Sequence, residues 1–180
     1  MVLRRAFSKR LFWLGSALLA FAQLALASGV PICPAFSLKS ENGGNPGNIP
    51  GNNNSQVLDW KAASKNQFGG RGHVQGHVVR VYPDRNGHNH FAIQIGPKDT
   101  DTLEVVYNQQ FGAVPTPTVG IQVEACGDYI TSVAPSPGPG GVTYPASPDG
   151  ALIHWVHMAP ARSGHNSGYL VVGGVVTGLE

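Results

Sequence analysis

The chain has 180 residues, with twelve Lys and Arg against ten Asp and Glu, for a formal net charge of +2. Four of those basic residues (Arg4, Arg5, Lys9 and Arg10) sit at the extreme N-terminus, and without them the balance is eight against ten, or −2. A domain with no cationic surplus lacks what gripping nucleic acid through its phosphates requires, so net charge argues against such a partner.

Residues 1–27 read as a signal peptide. The basic start leads into an apolar run from Leu11 to Leu26, broken by Gly15, Ser16 and Gln23, and Ala25-Leu26-Ala27 sets small residues ahead of a cut before Ser28. The run is shorter than the about 20 apolar residues of a spanning helix. The expectation is an exported protein, periplasmic or secreted, with no transmembrane segment once the leader is removed. Cys33 and Cys126 then meet an oxidising compartment and are expected to pair. Closing that loop of about ninety residues stabilises by roughly 4 kcal/mol in the chain-entropy model.

Residues 28–55 are expected to form an extended arm and linker, because 40–55 are almost all Gly, Pro and Asn and cannot bury apolar surface. Ser55 can cap a short helix through about Lys65, with Val57, Leu58, Lys61 and Ala62 along one edge. After Gly69-Gly70 the apolar period becomes two, with Val74 and Val78 on one side and His73, His77, Val79 and Val81 on the other. Pro83–Gly87 reads as a turn. Phe91, Ile93 and Ile95 share a face of the next strand, Leu103, Val105 and Tyr107 a face of the one after, and Val119, Ile121, Val123 and Ala125 a face of a third. Residues 134–149 hold five prolines and three glycines and are expected to form a long exposed loop. Two apolar runs, Ala151–Met158 and Tyr169–Thr177, end the chain. The expected architecture is one mainly β domain over 56–180, a small antiparallel OB-like barrel of about six strands with one short N-terminal helix.

All seven histidines lie between positions 73 and 165. His73 and His77 share a strand face, yet stand about 13 Å apart at the rise of an extended chain, so they cannot share one ion unaided. His88 and His90 form an H-x-H pair beside the turn that contains Asp84. His154 and His157 face opposite ways in a regular strand and converge only if the chain bulges or coils; His165 follows in a turn after Arg162. Neutral imidazole suits zinc, so His88, His90, His154 and His157 are candidate metal ligands. No H-E-x-x-H or C-x-x-C spacing, G-x-S-x-G elbow or phosphate-binding glycine loop is present. Surface histidines hydrogen-bonded to turns are the plain alternative. A further expectation needs no metal: seven imidazoles gaining charge near pH 6 would reverse the sign of the domain's field.

The run Ile153-His154-Trp155-Val156-His157, followed by Pro160, Arg162, His165, Gly168 and Tyr169, resembles the C-terminal signature of small exported bacterial proteins catalogued as domain of unknown function 3465. Val74-Gln75-Gly76, Val78-Val79, Asp84, Gly87, His90, Asn108 and Gly127-Asp128-Tyr129 extend the resemblance over roughly residues 70–178. The chain departs from the pattern at Met158, where a second histidine is usual, and at Ala159, where an acidic residue is common; 134–149 looks like an insertion. The resemblance implies an exported OB-like domain and supplies no activity. It points to His90, His154, His157, Arg162 and His165 as a constellation, with Asp84 and Trp155 nearby.

The leading expectation is therefore a non-enzymatic binding module that holds a small anionic ligand or a metal ion through a His/Arg/Trp surface. Arg162 would pair with an acidic group. One alternative is a metal-dependent hydrolase, a phosphodiesterase or nuclease, with Asp84 or a histidine activating water. Another is a structural envelope-interaction protein. No cofactor beyond a possible zinc is expected, and the oligomeric state is not readable.

Overall fold

The computed structural model of the protein describes residues 31–33, 51–161 and 163–179. The expected signal peptide, most of the arm and Arg162 lie outside the described residues. What is described is mainly β, as expected, with one helix and nine strands.

The organising element is β1 (Gly69–Arg85), a strand of 17 residues with two antiparallel partners. Its first half pairs with β4 (Gln122–Thr131), from Gly69 opposite Ile130 to His77 opposite Gln122. Its second half pairs with β2 (His88–Gln94), which turns back through Asn86-Gly87. Both turn residues have positive φ, 51° and 73°, the conformation that makes Asn-Gly a preferred two-residue hairpin. The turn is thus shorter than expected: Pro83, Asp84 and Arg85 belong to β1, where the register with β2 shifts. β2 pairs with β3 (Thr102–Asn108). β3 runs parallel to β7 (Ala151–His154), and β7 pairs antiparallel with β4. The hydrogen bonds therefore lead from β1 through β2, β3, β7 and β4 back to β1.

Alternation along these strands drives one set of side chains inward. Val74, Val78, Phe91, Ile93, Leu103, Val105, Tyr107, Ala125, Tyr129, Ile153 and Leu170 have no exposed surface, and each large one contributes about 1.5–3 kcal/mol of hydrophobic stabilisation. Val119 breaks the expected pattern, being 71% exposed. It precedes Gly120, whose φ of 90° turns the chain, and β4 starts only at Gln122.

The helix α1 (Asn54–Ala63) covers one side of this core with Val57, Leu58 and Trp60. The Trp60 ring packs on Tyr129 at 5.4 Å and on Phe68 at 5.7 Å. The residues just before Ser55, read as linker, are instead bound to the sheet. Asn53 pairs its backbone N–H with the carbonyl of His73, and its side-chain oxygen accepts from the His73 N–H. Asn54 donates to the carbonyls of Gln75 and Ile95. Asparagine buries little apolar area, but its amide completes strand edges that would otherwise lack partners.

Residues 134–149 are mostly exposed, as expected, but contain a small hairpin of β5 (Ser136–Pro137) and β6 (Thr143–Tyr144). The loop is pinned by the Asp149 carboxylate, which is fully enclosed and accepts from Arg80 and from the Tyr82 hydroxyl, each at 2.8 Å. The last apolar run folds as two strands, β8 (Tyr169–Val172) and β9 (Val175–Thr177), because Gly173-Gly174 turns between them. Cys33 and Cys126 form the expected disulfide with Cα atoms 5.6 Å apart, packed among Tyr169, Val171 and Val176.

Candidate functional site

The site is placed by β4. One edge of that strand pairs with β1; the other is shared, with residues 123–126 held by β8 and residues 128–131 by β7. Gly127 is the junction. There the chain leaves the sheet after His154 and returns at Tyr169, so residues 155–168 form an excursion that carries most of the expected site. A side chain at Gly127 would strike the His154 carbonyl and Val156, and one at Gly168 would strike the carbonyls of Cys126 and Trp155. These two glycines let the excursion lie flat on β4.

Trp155 makes the first bend. Its φ is 55°, a left-handed conformation that a bulky side chain adopts only when its surroundings impose it. The bend ends the strand register, so His154 and His157 do not face opposite ways. Their ring centroids are 6.4 Å apart.

A chain of ring contacts results. His90 and His88 are 6.4 Å apart, and His88 and His154 5.5 Å. Trp155 lies 5.6 Å from His154, 5.3 Å from His157, and stacks at 3.8 Å on His165. Phe111 stacks at 3.8 Å on His157. Between these rings opens a cleft of about 300 Å³, whose lining includes His88, His154, His157, Trp155, Phe111 and Pro160, with Asn108 and Gln110 at one side.

Two buried carboxylates hold the outer histidines. Nδ1 of His90 lies 2.7 Å from Glu104, which is 1% exposed, with the Arg85 guanidinium 3.5 Å from the same oxygen. Nδ1 of His165 lies 2.9 Å from Asp128. The other oxygen of Asp128 accepts from Arg71 at 2.8 Å, and Arg71 donates in turn to the Ser167 carbonyl. Burial lowers the pKa of the Arg71 guanidinium, and the Asp128 charge counteracts that. His154 is held neutral: desolvation first, and then the neighbouring imidazoles, push its pKa down to about 3. Burial also lowers His157, although its hydrogen bond to the Met158 carbonyl works the other way.

Of the expected residues, His88, His90, His154, Trp155, His157 and His165 come together. Asp84 does not: it is exposed and clamps the first hairpin through Asn89 and Gln109. Among the described residues, no three His, Cys, Asp or Glu side chains are grouped to hold a metal ion, so the set His88, His90, His154 and His157 is gathered without forming a first shell for zinc. His73 belongs to a separate cluster, 2.9 Å from Glu124 and 3.1 Å from the Tyr169 hydroxyl.

Comparison with protein-family models, with curated proteins and with solved structures finds no match to this chain. The site must be read from its own geometry.

Sequence reasoning missed Glu104, Asp128 and Phe111. Asp128 stood within the Gly127-Asp128-Tyr129 match but was not counted among the candidate site residues. Glu104 sits between Leu103 and Val105 in an apolar strand, and a carboxylate there signals a buried partner. Phe111 carried no local signal, since it reaches His157 from a 3-10 turn (Gln109–Phe111) after β3.

Proposed function

We propose that the protein is an exported, OB-like binding module that takes a small ligand in the cleft among His88, His154, Trp155, His157 and Phe111, without catalysing a reaction. The observation that carries this reading is the gathering of five imidazoles and Trp155 near Gly127, where the partner of β4 changes from β7 to β8. Concave sites with aromatic walls and a few convergent polar groups are where small molecules bind. The barrel is supported by the run of pairings that returns to β1 and by the parallel register of β3 and β7. Export is supported by the disulfide, which an oxidising compartment favours, and by the leader-like residues 1–27. The proposed kinship with domain of unknown function 3465 rests on the motif residues, several of which line or flank the cleft.

The hydrolase alternative has less behind it. Its chemistry needs a metal-held water, and the described histidines, as placed, do not group around one ion. Ligand-observed NMR with a library of small ring compounds on the full exported chain tests the binding reading. Hits should shift the imidazole signals of the cleft and should lose at least tenfold in affinity in His154→Phe. Hits that bind equally well to this variant would place the ligand elsewhere and sink the proposal. N-terminal sequencing of the exported protein checks for a start at Ser28.

A further inference from the structure

The cleft is lined with lone pairs. His88 Nδ1 lies 2.9 Å from the Asn86 carbonyl oxygen, and His157 Nδ1 lies 2.8 Å from that of Met158. A carbonyl can only accept, so in each neutral ring Nδ1 carries the hydrogen and Nε2 is a bare acceptor. The carboxylates of Glu104 and Asp128 impose the same tautomer on His90 and His165. His154, at the centre, makes no ring hydrogen bond among the described residues. Of the three imidazoles that line the cleft, His88 and His157 thus keep Nε2 as an acceptor, and His154 has its ring nitrogens uncommitted.

Such a site is matched by a donor. An anion would meet ring acceptors, and among the described residues the guanidiniums of Arg71 and Arg85 already face Asp128 and Glu104. Resting on the reading that this cleft binds a ligand, we propose that the ligand is a small organic amine, a protonated primary amine carried on a flat ring. The Nε2 edges of His88, His154 and His157 would accept from its ammonium group, and Phe111, Trp155 and Pro160 would enclose its ring.

The spacing of His154 and His157 fits this donor better than a metal ion. Two imidazoles that share one ammonium nitrogen at about 2.9 Å and a tetrahedral angle have ring centroids about 6.5 Å apart. Two imidazoles on one zinc ion at about 2.1 Å have centroids about 5.2 Å apart. Among the rings that would share the ammonium, His154 and His157 are 6.4 Å apart, near the first value, and His88 and His154 are 5.5 Å apart, nearer the second. A cation in a partly closed cleft loses hydration. The carboxylates of Glu104 and Asp128, which hold His90 and His165 beside the cleft, offset part of that cost by their charge.

A matched pair of probes tests the sign of the ligand: 2-phenylethylamine and 3-phenylpropionate, which share a ring and differ in the charged group. Each is titrated at pH 7.5 into the full exported chain, with imidazole and Trp155 NMR signals as the readout, and zinc chloride is run in a separate arm. The amine is expected to bind at least tenfold tighter than the acid and to lose at least tenfold in both His154→Phe and His88→Phe. The second variant alters a half-buried ring on β2, outside the core, and stands in if the first fails to fold. Tighter binding of the acid overturns the amine assignment while leaving the ligand cleft in place. Stoichiometric zinc binding that blocks the amine overturns it in favour of a metal site. Binding of neither probe at millimolar concentration overturns both the assignment and the reading beneath it.

Discussion

His154 should make this protein acid-sensitive in a way a single substitution can isolate. Burial, and then the neighbouring imidazoles, lower its folded pKa from 6.5 to about 3. The unfolded chain therefore binds a proton that the folded chain refuses. The stability contributed by this group is complete above pH 6.5 and is lost as pH falls from there towards 3. Each pH unit inside that window corresponds to about 1.4 kcal/mol, so bringing the protein from pH 7.5 to pH 5 should cost roughly 2 kcal/mol through His154 alone. The full shift amounts to roughly 5 kcal/mol. Other groups titrate over the same range, and the comparison that removes them is the wild type against His154→Gln. The assay is urea unfolding of both proteins at pH 7.5, 6 and 5. The stability difference between them should move by roughly 2 kcal/mol in favour of the variant as pH falls. Parallel curves at all three values would mean that His154 protonates freely in the folded protein. Its enclosure among His88, His157 and Trp155 would then be wrong.

Replacing Asp128 with Asn should cost about 3 kcal/mol, because it leaves the enclosed Arg71 guanidinium without its counter-charge. It should also turn His165 over to the opposite tautomer, since an amide N–H would face Nδ1 where a carboxylate oxygen stood; imidazole nitrogen shifts read the tautomer and thermal unfolding reads the cost. Reducing the Cys33–Cys126 bond, or replacing both residues with Ala, should lower stability by roughly 4 kcal/mol for a loop of 93 residues. Denaturant midpoints with and without reductant measure that loss, and an unchanged midpoint would show that the arm is not tied to β4.

How far the sequence could be read depended on how local each cause was. The buried faces of β1, β2 and β3 were legible because an extended chain alternates, and Val74, Val78, Phe91, Ile93, Leu103, Val105 and Tyr107 obey that rule without exception. The disulfide followed from two cysteines behind an expected export leader. The strand count fell short because the β5–β6 hairpin lies in a stretch read as loop, and because Gly173-Gly174 lies inside an apolar run that reads as continuous, although two adjacent glycines are themselves a hairpin signal. The linker was misjudged at its end, since Asn53 and Asn54 act through amide hydrogen bonds that hydropathy does not register.

The site depended on causes that are not local. Whether His154 and His157 converge hangs on a left-handed backbone at Trp155, and no tryptophan announces that conformation in a sequence. What imposes it is the geometry of β4: β7 and β8 compete for one edge, Gly127 separates them, and the chain must rise off the sheet between His154 and Tyr169. Stacking of Trp155 on His165, and the hold of Asp128 on His165, then offset the cost of a bend that is on the order of 1–3 kcal/mol. Such strain persists only where surrounding contacts over-determine it. The same contacts that hold the bend also fix the direction of the His165 lone pair, so at this place stability and ligand recognition draw on one set of bonds. Loosening Asp128 should therefore disturb both together, whereas loosening the disulfide, which lies on the far side of Arg71, should weaken the fold and leave the His165 tautomer unchanged.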